Sequence, residues 1–418
     1  MTEVGKYDKK KDFKVELLVV FAILISLGFP GNFTEIYGET LGTVLEYGAF
    51  FVEIFAMLLS SGDNWLDIRI INLDKRYTVL YLFAAVIFVE SMLVSRYPAD
   101  QFISCTRLFV TILFAIWLQE HFEFKRVVEL MGIAQALLVI ACLVFIIRYP
   151  GYAYESGESF HHALRGLYWT KNSLATELSF GILTIAFIIR EKRRQSEGIK
   201  GWMVILGIQV ILLLMCQATG PVLCILFALI PLFLPDHIRF PLGVGYITGN
   251  IVFLFGTLSF MPYFEWFFEA IGKDASLTGR IPLWNRIIEV MMNHRTFTGY
   301  GYAMFWRDSR AYGLIQSGFN KWSSLASITT GAHNVLLEFW INTGLIGIAC
   351  LFLVMLYSMR HAEEIPEMRY RFSSIMIVYL LVNGLTERCW GGTYDYKTLL
   401  MFFILAVCCN RLKCENNS

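Results

Sequence analysis

The stretch "TGAHNVLLEFWINTGLIG", residues 330–347, opens on a polar turn and runs straight into an apolar segment that continues to residue 358. A helix needs about twenty mostly apolar residues to cross a bilayer core, so this run reads as a membrane span with a histidine at its threshold. The pattern recurs along the chain. Twelve candidate spans lie near 14–30, 41–61, 77–95, 102–119, 127–147, 172–190, 201–217, 219–235, 241–262, 333–358, 372–387 and 396–411. Gly220 and Pro221 interrupt one long apolar run, which is therefore split into two short helices. Of the 418 residues, 56% are hydrophobic, 16% aromatic and only 17% charged, and the mean hydropathy is +0.56. A soluble protein of this size carries roughly a quarter charged residues. The expected fold is all-α, a polytopic integral membrane helical bundle of about twelve transmembrane helices.

The net charge of +1 gives no global attraction to nucleic acid or any other polyanion. The nine cysteines fall mostly inside apolar runs without CxxC spacing, and read as small buried hydrophobes rather than a metal site or a disulfide framework. The basic, then apolar, N-terminus resembles a signal peptide, but no small-x-small cleavage motif follows Pro30 and Gly31, so a retained first helix is expected. No repeat and no Ser/Pro-rich linker divides the chain. Residues 1–418 are expected to form a single membrane domain, with 263–332, between the ninth and tenth spans, as a long, partly helical extracytoplasmic loop.

Orientation follows from the basic residues of the connections. With the N-terminus in the cytoplasm, 21 of the 35 Lys and Arg residues fall on cytoplasmic segments, among them Lys9, Arg126, Arg194, Arg239, Arg371 and Lys413. Both termini are then cytoplasmic. The remaining 14 concentrate in two long outer segments, 148–171 and 263–332. Long segments translocate regardless of charge, but cations there need a local reason.

Within 263–332, "SLTGRIPLWNRIIEVMMNHR" spaces Ile281, Trp284, Ile287 and Met291 helically and reads as an amphipathic helix at the membrane surface. Pro282 is tolerated only in a first turn, so the helix should begin near Thr278 to Arg280. Arg280 and the free N–H groups of that turn suit an anion such as a phosphate; equally, Arg280 could snorkel to lipid headgroups. "FTGYGYAMFW" follows, where Gly299 and Gly301 allow a tight turn and Tyr300 and Tyr302 offer faces for sugar rings, or belong to an interfacial belt. In the other outer segment Arg165, Lys171 and Asn172 precede the sixth span. His161 and His162 are adjacent and lack a further ligand set, so no metal is expected there. Arg107, Glu90 and Glu338 lie within spans near the outer face, and Glu387 ends the eleventh. Such groups are costly in a membrane unless hydrated or paired, which points to a water-filled outer cavity or to interhelical ion pairs such as Arg107 with Glu90. Glu46 and Glu53 lie deeper on one face of the second span. No HExxH, Walker A loop, GxSxG elbow or DxD-like acidic pair occurs.

Three elements together resemble the O-antigen ligase and Wzy-type polysaccharide polymerase superfamily of bacterial inner-membrane glycosyltransferases, closest to its exopolysaccharide and capsule polymerases. "RGLYWTKNSLAT" (165–176) is similar to the family's RG-aromatic-x-x-KN element. "LTGRIPLWNRIIEVMMNHRTFTGYGYAMFW" (277–306) resembles TGR-x-x-x-W followed by GYGY-x-x-FW, and "AHNVLLEFWINTGLIG" (332–347) resembles HN-x-x-L…G-x-x-G. The resemblance implies an undecaprenyl diphosphate-linked oligosaccharide as donor, no cofactor, no metal and no nucleotide sugar. It places the family's essential histidine on His333 and its TGR arginine on Arg280 as catalytic residues. A second arginine, expected after the seventh span, is missing from "CQATGPVLC" at 216–224. Lys171 or Arg165, or else Arg107, is left to take its part.

The expected function is therefore transfer of a lipid diphosphate-linked glycan to an acceptor sugar hydroxyl at the outer leaflet of the cytoplasmic membrane. His333 acts as general base, Glu338 or Glu387 orients it, and Asn172, Asn334, Tyr300 and Tyr302 contact substrate. A ligase acting on a lipid A core or another surface acceptor is the alternative within this class. A transporter or flippase of lipid-linked glycans is the alternative outside it, and predicts inverted repeats and helix breaks near the midplane. A co-polymerase or flippase of the same pathway is the expected kind of protein partner.

Overall fold

The computed structural model describes residues 9–28, 38–60, 74–155, 162–270, 279–318, 331–388, 390–391 and 395–410. The regular elements among the described residues are all helices, save for an isolated antiparallel bridge between Tyr154 and Leu164. A helix stands on each of the twelve expected segments: α1 (Lys9–Ser26), α2 (Glu39–Ser60), α3 (Thr78–Val94), α4 (Pro98–His121), α5 (Phe124–Arg148), then past the short α6 (Pro150–Ala153), α7 (Lys171–Arg194), α8 (Lys200–Met215), α9 (Thr219–Phe233) and α10 (Leu242–Ala270). Beyond α11 (Arg280–His294) and α12 (Ser309–Gln316) come α13 (Val335–Met359), α14 (Glu367–Thr386) and α15 (Tyr396–Cys409). Six of these helices are long and apolar enough to cross a membrane by length and composition: α3 with its lead-in from Lys75, α4, α5, α7, the first part of α10, and α13 with its tail to Glu364. Helices α8, α9 and α15 are apolar but shorter.

Helix α15 is the central strut. Beyond Lys397 it is buried on nearly every face, as a mostly apolar helix inside a bundle must be, and packs on α4 and α13. Around it α3, α5, α8, α9 and α10 turn large side chains outward, Leu93, Ile147, Leu214, Phe233 and Phe255 among them. That is the surface a bilayer would cover.

One end of the bundle is laced by charge. Arg126 meets Glu16 and Glu129, Lys192 meets Glu129 and Glu197, and Asp236 gathers Arg190, Arg194 and Arg371, with Glu367 alongside. Arg239 donates to the carbonyls of Glu363 and Ile365, just beyond α13. This end holds the start of α1 and the end of α15, where Asn410 bonds Arg76 and Glu120. The start of α13 and the end of α14 therefore lie at the opposite end, and the candidate residues gather there.

Two details of the helices matter. The split between the seventh and eighth spans falls at Cys216–Ala218, within the bounds expected from 201–217 and 219–235, with Gln217 at a φ of +52°, while Gly220 and Pro221, read as the interruption, lie inside the next helix. Pro221 sits in the first turn of α9, where its missing N–H is no loss. The second is a break inside α13. Gly344 has φ +62° and ψ −169°, and residues 296–301 cross the helix there. The N–H groups of Leu345 and Ile346, which an unbroken helix would give to Ile341 and Asn342, go instead to the carbonyls of Thr296 and Phe297 at 3.0 and 3.1 Å. The two carbonyls thus freed accept from Tyr300 N–H at 3.0 Å and Gly301 N–H at 2.8 Å. A helix can be broken within an apolar bundle when another backbone supplies every lost partner. Only glycine allows the approach, since a Cβ on Gly344 would lie 2.1 Å from the Phe297 carbonyl oxygen, and one on Gly299 2.6 Å from backbone atoms of Asn342.

Candidate active site

Three elements meet at the end of the bundle away from the charge lacing. Helix α11 begins at Arg280 behind Gly279, whose φ of +83° is the left-handed conformation that suits glycine. Its apolar face does not lie on a membrane surface as expected. Leu283, Trp284, Ile287, Val290 and Met291 are buried, and α11 packs on α13. The Trp284 ring meets Phe253 of α10 edge-on, and its indole Nε1–H donates to the Ala332 carbonyl at 2.9 Å. The surface reading failed because the helix has a protein partner for its apolar stripe.

That bond fixes the residue before His333 from one side. Glu338, one turn into α13 and 3% exposed, fixes it from the other: its carboxylate accepts the Ala332 N–H at 2.8 Å. The same carboxylate accepts the Trp306 indole N–H at 3.1 Å and the Asn342 amide at 3.3 Å, and Arg388 Nε stands 3.8 Å away. Protein donors thus replace the water that a charge at this depth would otherwise need. Asn334 is the N-cap of α13. Its Oδ1 accepts from the N–H groups of Leu336 and Leu337, both at 3.1 Å, and its Nδ2 donates to the Leu385 carbonyl on α14.

Held on both sides, His333 adopts a φ of +49°, which costs a non-glycine residue about 1–2 kcal/mol. Its side chain is 39% exposed. Its Nδ1 lies 3.0 Å from Glu387 Oε2, and the other oxygen of Glu387 holds the Arg280 guanidinium. Glu387, the residue just past α14, therefore joins Arg280 and His333. Burial raises its carboxyl, but the His333 hydrogen bond and the Arg280 charge outweigh that and hold it below the ordinary glutamate value. An ionised carboxylate can only accept, so His333 Nδ1 donates to Glu387, and Nε2 is the ring nitrogen left outside that bond. An imidazole, a carboxylate and a guanidinium are thus joined in sequence.

The other predicted residues sit elsewhere. Tyr302 is 1% exposed; its backbone N–H donates to Ser91 Oγ and its carbonyl accepts from Gln101, so the ring belongs to the core and not to a sugar-stacking surface. Tyr300 is half-buried, edge-on to Phe305, with Arg295 over its ring. Arg107 is buried in α4 with its guanidinium 4.6 Å from the Tyr47 ring centre. Glu90 accepts from Ser91 Oγ. Arg165 donates to the Tyr152 and Trp169 carbonyls. Lys171 opens α7, its backbone N–H bonded to Glu155, and Asn172 follows it, exposed. The 162–170 segment is fastened to α8 through Leu164 N–H and the Met215 carbonyl. Glu53 is buried in α2; His161 and the Glu46 side chain lie outside the described residues.

Sequence reasoning passed over Trp284, Trp306 and Arg388. The tryptophans stand within the quoted motifs, and the indole N–H of a buried tryptophan needs an acceptor, which was the available signal. Arg388 adjoins Glu387, and a charged pair at a helix end was the clue. Among the described residues no three His, Cys, Asp or Glu side chains are grouped as a metal site requires.

No curated protein matches the chain. Residues 167–352 match the family model described as O-Antigen ligase, a segment that runs from the start of α7 through His333 and the Gly344 break. Over that segment, somewhat less than half of the chain, the sequence is similar to the O-antigen ligase family.

Proposed function

We propose that the chain is a polysaccharide polymerase that transfers an undecaprenyl diphosphate-linked glycan to an acceptor sugar hydroxyl at the outer leaflet of the bacterial cytoplasmic membrane. One observation carries the reading: Glu387 holds His333 by Nδ1 and Arg280 by its guanidinium. His333 Nε2 is left to take a proton, and a cation stands beside it. In the proposed step the acceptor oxygen attacks the anomeric carbon and the bond from that carbon to the diphosphate oxygen breaks. The electron pair leaves with the lipid diphosphate, where Arg280 offsets the new charge, and the acceptor proton passes to Nε2. A single displacement inverts the anomeric centre. The basic-residue asymmetry supports an outer placement for this end, with both termini cytoplasmic.

Transfer to a lipid A core or other surface acceptor uses the same chemistry and differs only in acceptor. Preference for the polymerase rests on the motifs of 165–176, 277–306 and 332–347. A broken helix is also a transporter feature. At Gly344, however, the chain's own 296–301 takes every freed backbone partner, which favours a structural break over a transport path.

The test supplies purified protein in liposomes with a lipid diphosphate-linked repeat unit and EDTA, without nucleotide sugar, and looks for longer glycans. Product from the wild type and none from His333→Ala is the expected result. Full activity in His333→Ala would remove the base assignment. Substrate crossing the bilayer without elongation would favour the flippase.

A further inference from the structure

We infer that Arg388 is the second cation on the departing diphosphate, a role that neither Lys171, Arg165 nor Arg107 fills. The inference rests on the glycosyl transfer proposed above. Its starting point is charge. The Glu387 carboxylate sits against the Arg280 guanidinium and offsets the charge that Arg280 alone could offer a diphosphate. A leaving group with several negative charges needs another donor close by.

Arg388 follows Glu387 directly and is 39% exposed. Its stem packs beside Gly331, where an added Cβ would stand 3.7 Å from Arg388 Cδ, so it borders the loop that delivers His333. Its acid neighbour, Glu338, is 3.8 Å from Nε and already accepts from Ala332, Trp306 and Asn342. Among the described residues the two terminal nitrogens of Arg388 donate to nothing, which leaves a guanidinium fork for a phosphate. Three other cations are engaged: Lys397 stands 3.5 Å from Glu177, Arg165 serves two carbonyls, and Arg107 lies over Tyr47. The location also fits. The stretch 216–224, which lacks an arginine, forms the α8–α9 turn and the start of α9, and α9 runs antiparallel to α14 with its first turn beside the end that carries Arg388.

The test titrates full-length protein in detergent with inorganic pyrophosphate at low salt by calorimetry, and runs the elongation assay in parallel. Arg388→Gln should weaken pyrophosphate binding at least about tenfold and Arg388→Lys about threefold, since lysine keeps the charge but loses the fork. Lys125→Gln, at the opposite end, should leave it unchanged. If Arg388→Gln does not fold, Arg388→Lys decides. Binding within about twofold of wild type in every folded Arg388 variant, or no binding by the wild type, overturns the assignment. Wild type that binds pyrophosphate through Arg388 yet lengthens no glycan would sink the transfer reading and leave the anion site standing. Elongation unaffected by Arg388→Gln would do the reverse.

Discussion

Replacing Gly344 by alanine tests the crossing of 296–301 through α13. The new Cβ would stand 2.1 Å from the Phe297 oxygen, 2.2 Å from its carbonyl carbon and 2.4 Å from Thr298 N. These are backbone atoms that cannot swing aside, so the crossing segment must leave. Four hydrogen bonds go with it, from Tyr300, Gly301, Leu345 and Ile346, at about 0.5–1.5 kcal/mol each, or about 2–6 kcal/mol together. Alanine at positive φ adds about 1–2 kcal/mol. The sum, about 3–8 kcal/mol, is a large part of the about 5–15 kcal/mol that holds a typical domain. Thermal unfolding in detergent, followed by a thiol-reactive dye, reads this directly, because Cys105, Cys142, Cys216, Cys224 and Cys408 are buried. Gly207→Ala on α8 is the control: a Cβ there meets nothing within 4 Å, and alanine should gain about 0.5–1 kcal/mol in the helix. A Gly344→Ala protein that unfolds within about 2 °C of wild type would refute the crossing.

Three further outcomes follow from the site. Glu387→Gln puts an amide where a carboxylate accepted from Nδ1, so the imidazole can adopt the wrong tautomer; kcat should fall about a hundred- to ten-thousand-fold in the elongation assay, and a loss under threefold would sink the orienting role. Because the folded Glu387 carboxyl lies below its ordinary value, its contribution is fully present above the usual glutamate range and is lost only as pH falls through that lowered value. The part of wild-type activity that Glu387 supports should therefore persist down through the usual glutamate range, and its loss above about pH 5, read from kcat/KM against Glu387→Gln, would contradict the lowered carboxyl. Trp284→Phe keeps most of the ring but removes the donor to the buried Ala332 carbonyl; it should cost about 1–2 kcal/mol and lower kcat more than it raises KM, and unchanged kcat would show that Trp284 does not position His333.

Periodicity and hydropathy made the helices legible because each is set by residues close in sequence. Pro282 placed the start of α11 near Thr278 to Arg280 for the same local reason, and it falls at Arg280. Contacts between distant segments left no such trace. Glu387 reaches His333 across 54 positions and Arg280 across 107. Gly344 could be seen as one of two spaced glycines, but its function depends on a carbonyl at Phe297 that no local pattern connects to it. Tyr302 misled for a related cause: an aromatic residue beside glycines suits a sugar platform, and only the crossing at α13 reveals that the ring is driven into the core. The amphipathic stripe of α11 was correctly seen, but a stripe cannot say whether lipid or α13 covers it.

The left-handed backbone at His333 explains why the sequence elements occur as a set. A glycine would occupy φ +49° without strain but has no imidazole to offer, so the conformation must be imposed by neighbours. Trp284, four residues after Arg280, pins the Ala332 carbonyl; Glu338 pins the Ala332 N–H and is itself steadied by Trp306 from the segment after the crossing. Asn334 starts α13 and ties it to α14, which delivers Glu387. Remove any one and the histidine can relax toward an ordinary helix entry, turning its ring off the line from Glu387 to Arg280. The strain of one residue is thus shared among the segment that begins α11, the one that crosses α13 and the one that begins α13. These stretches lie in two of the three elements that carry the family resemblance, 277–306 and 332–347.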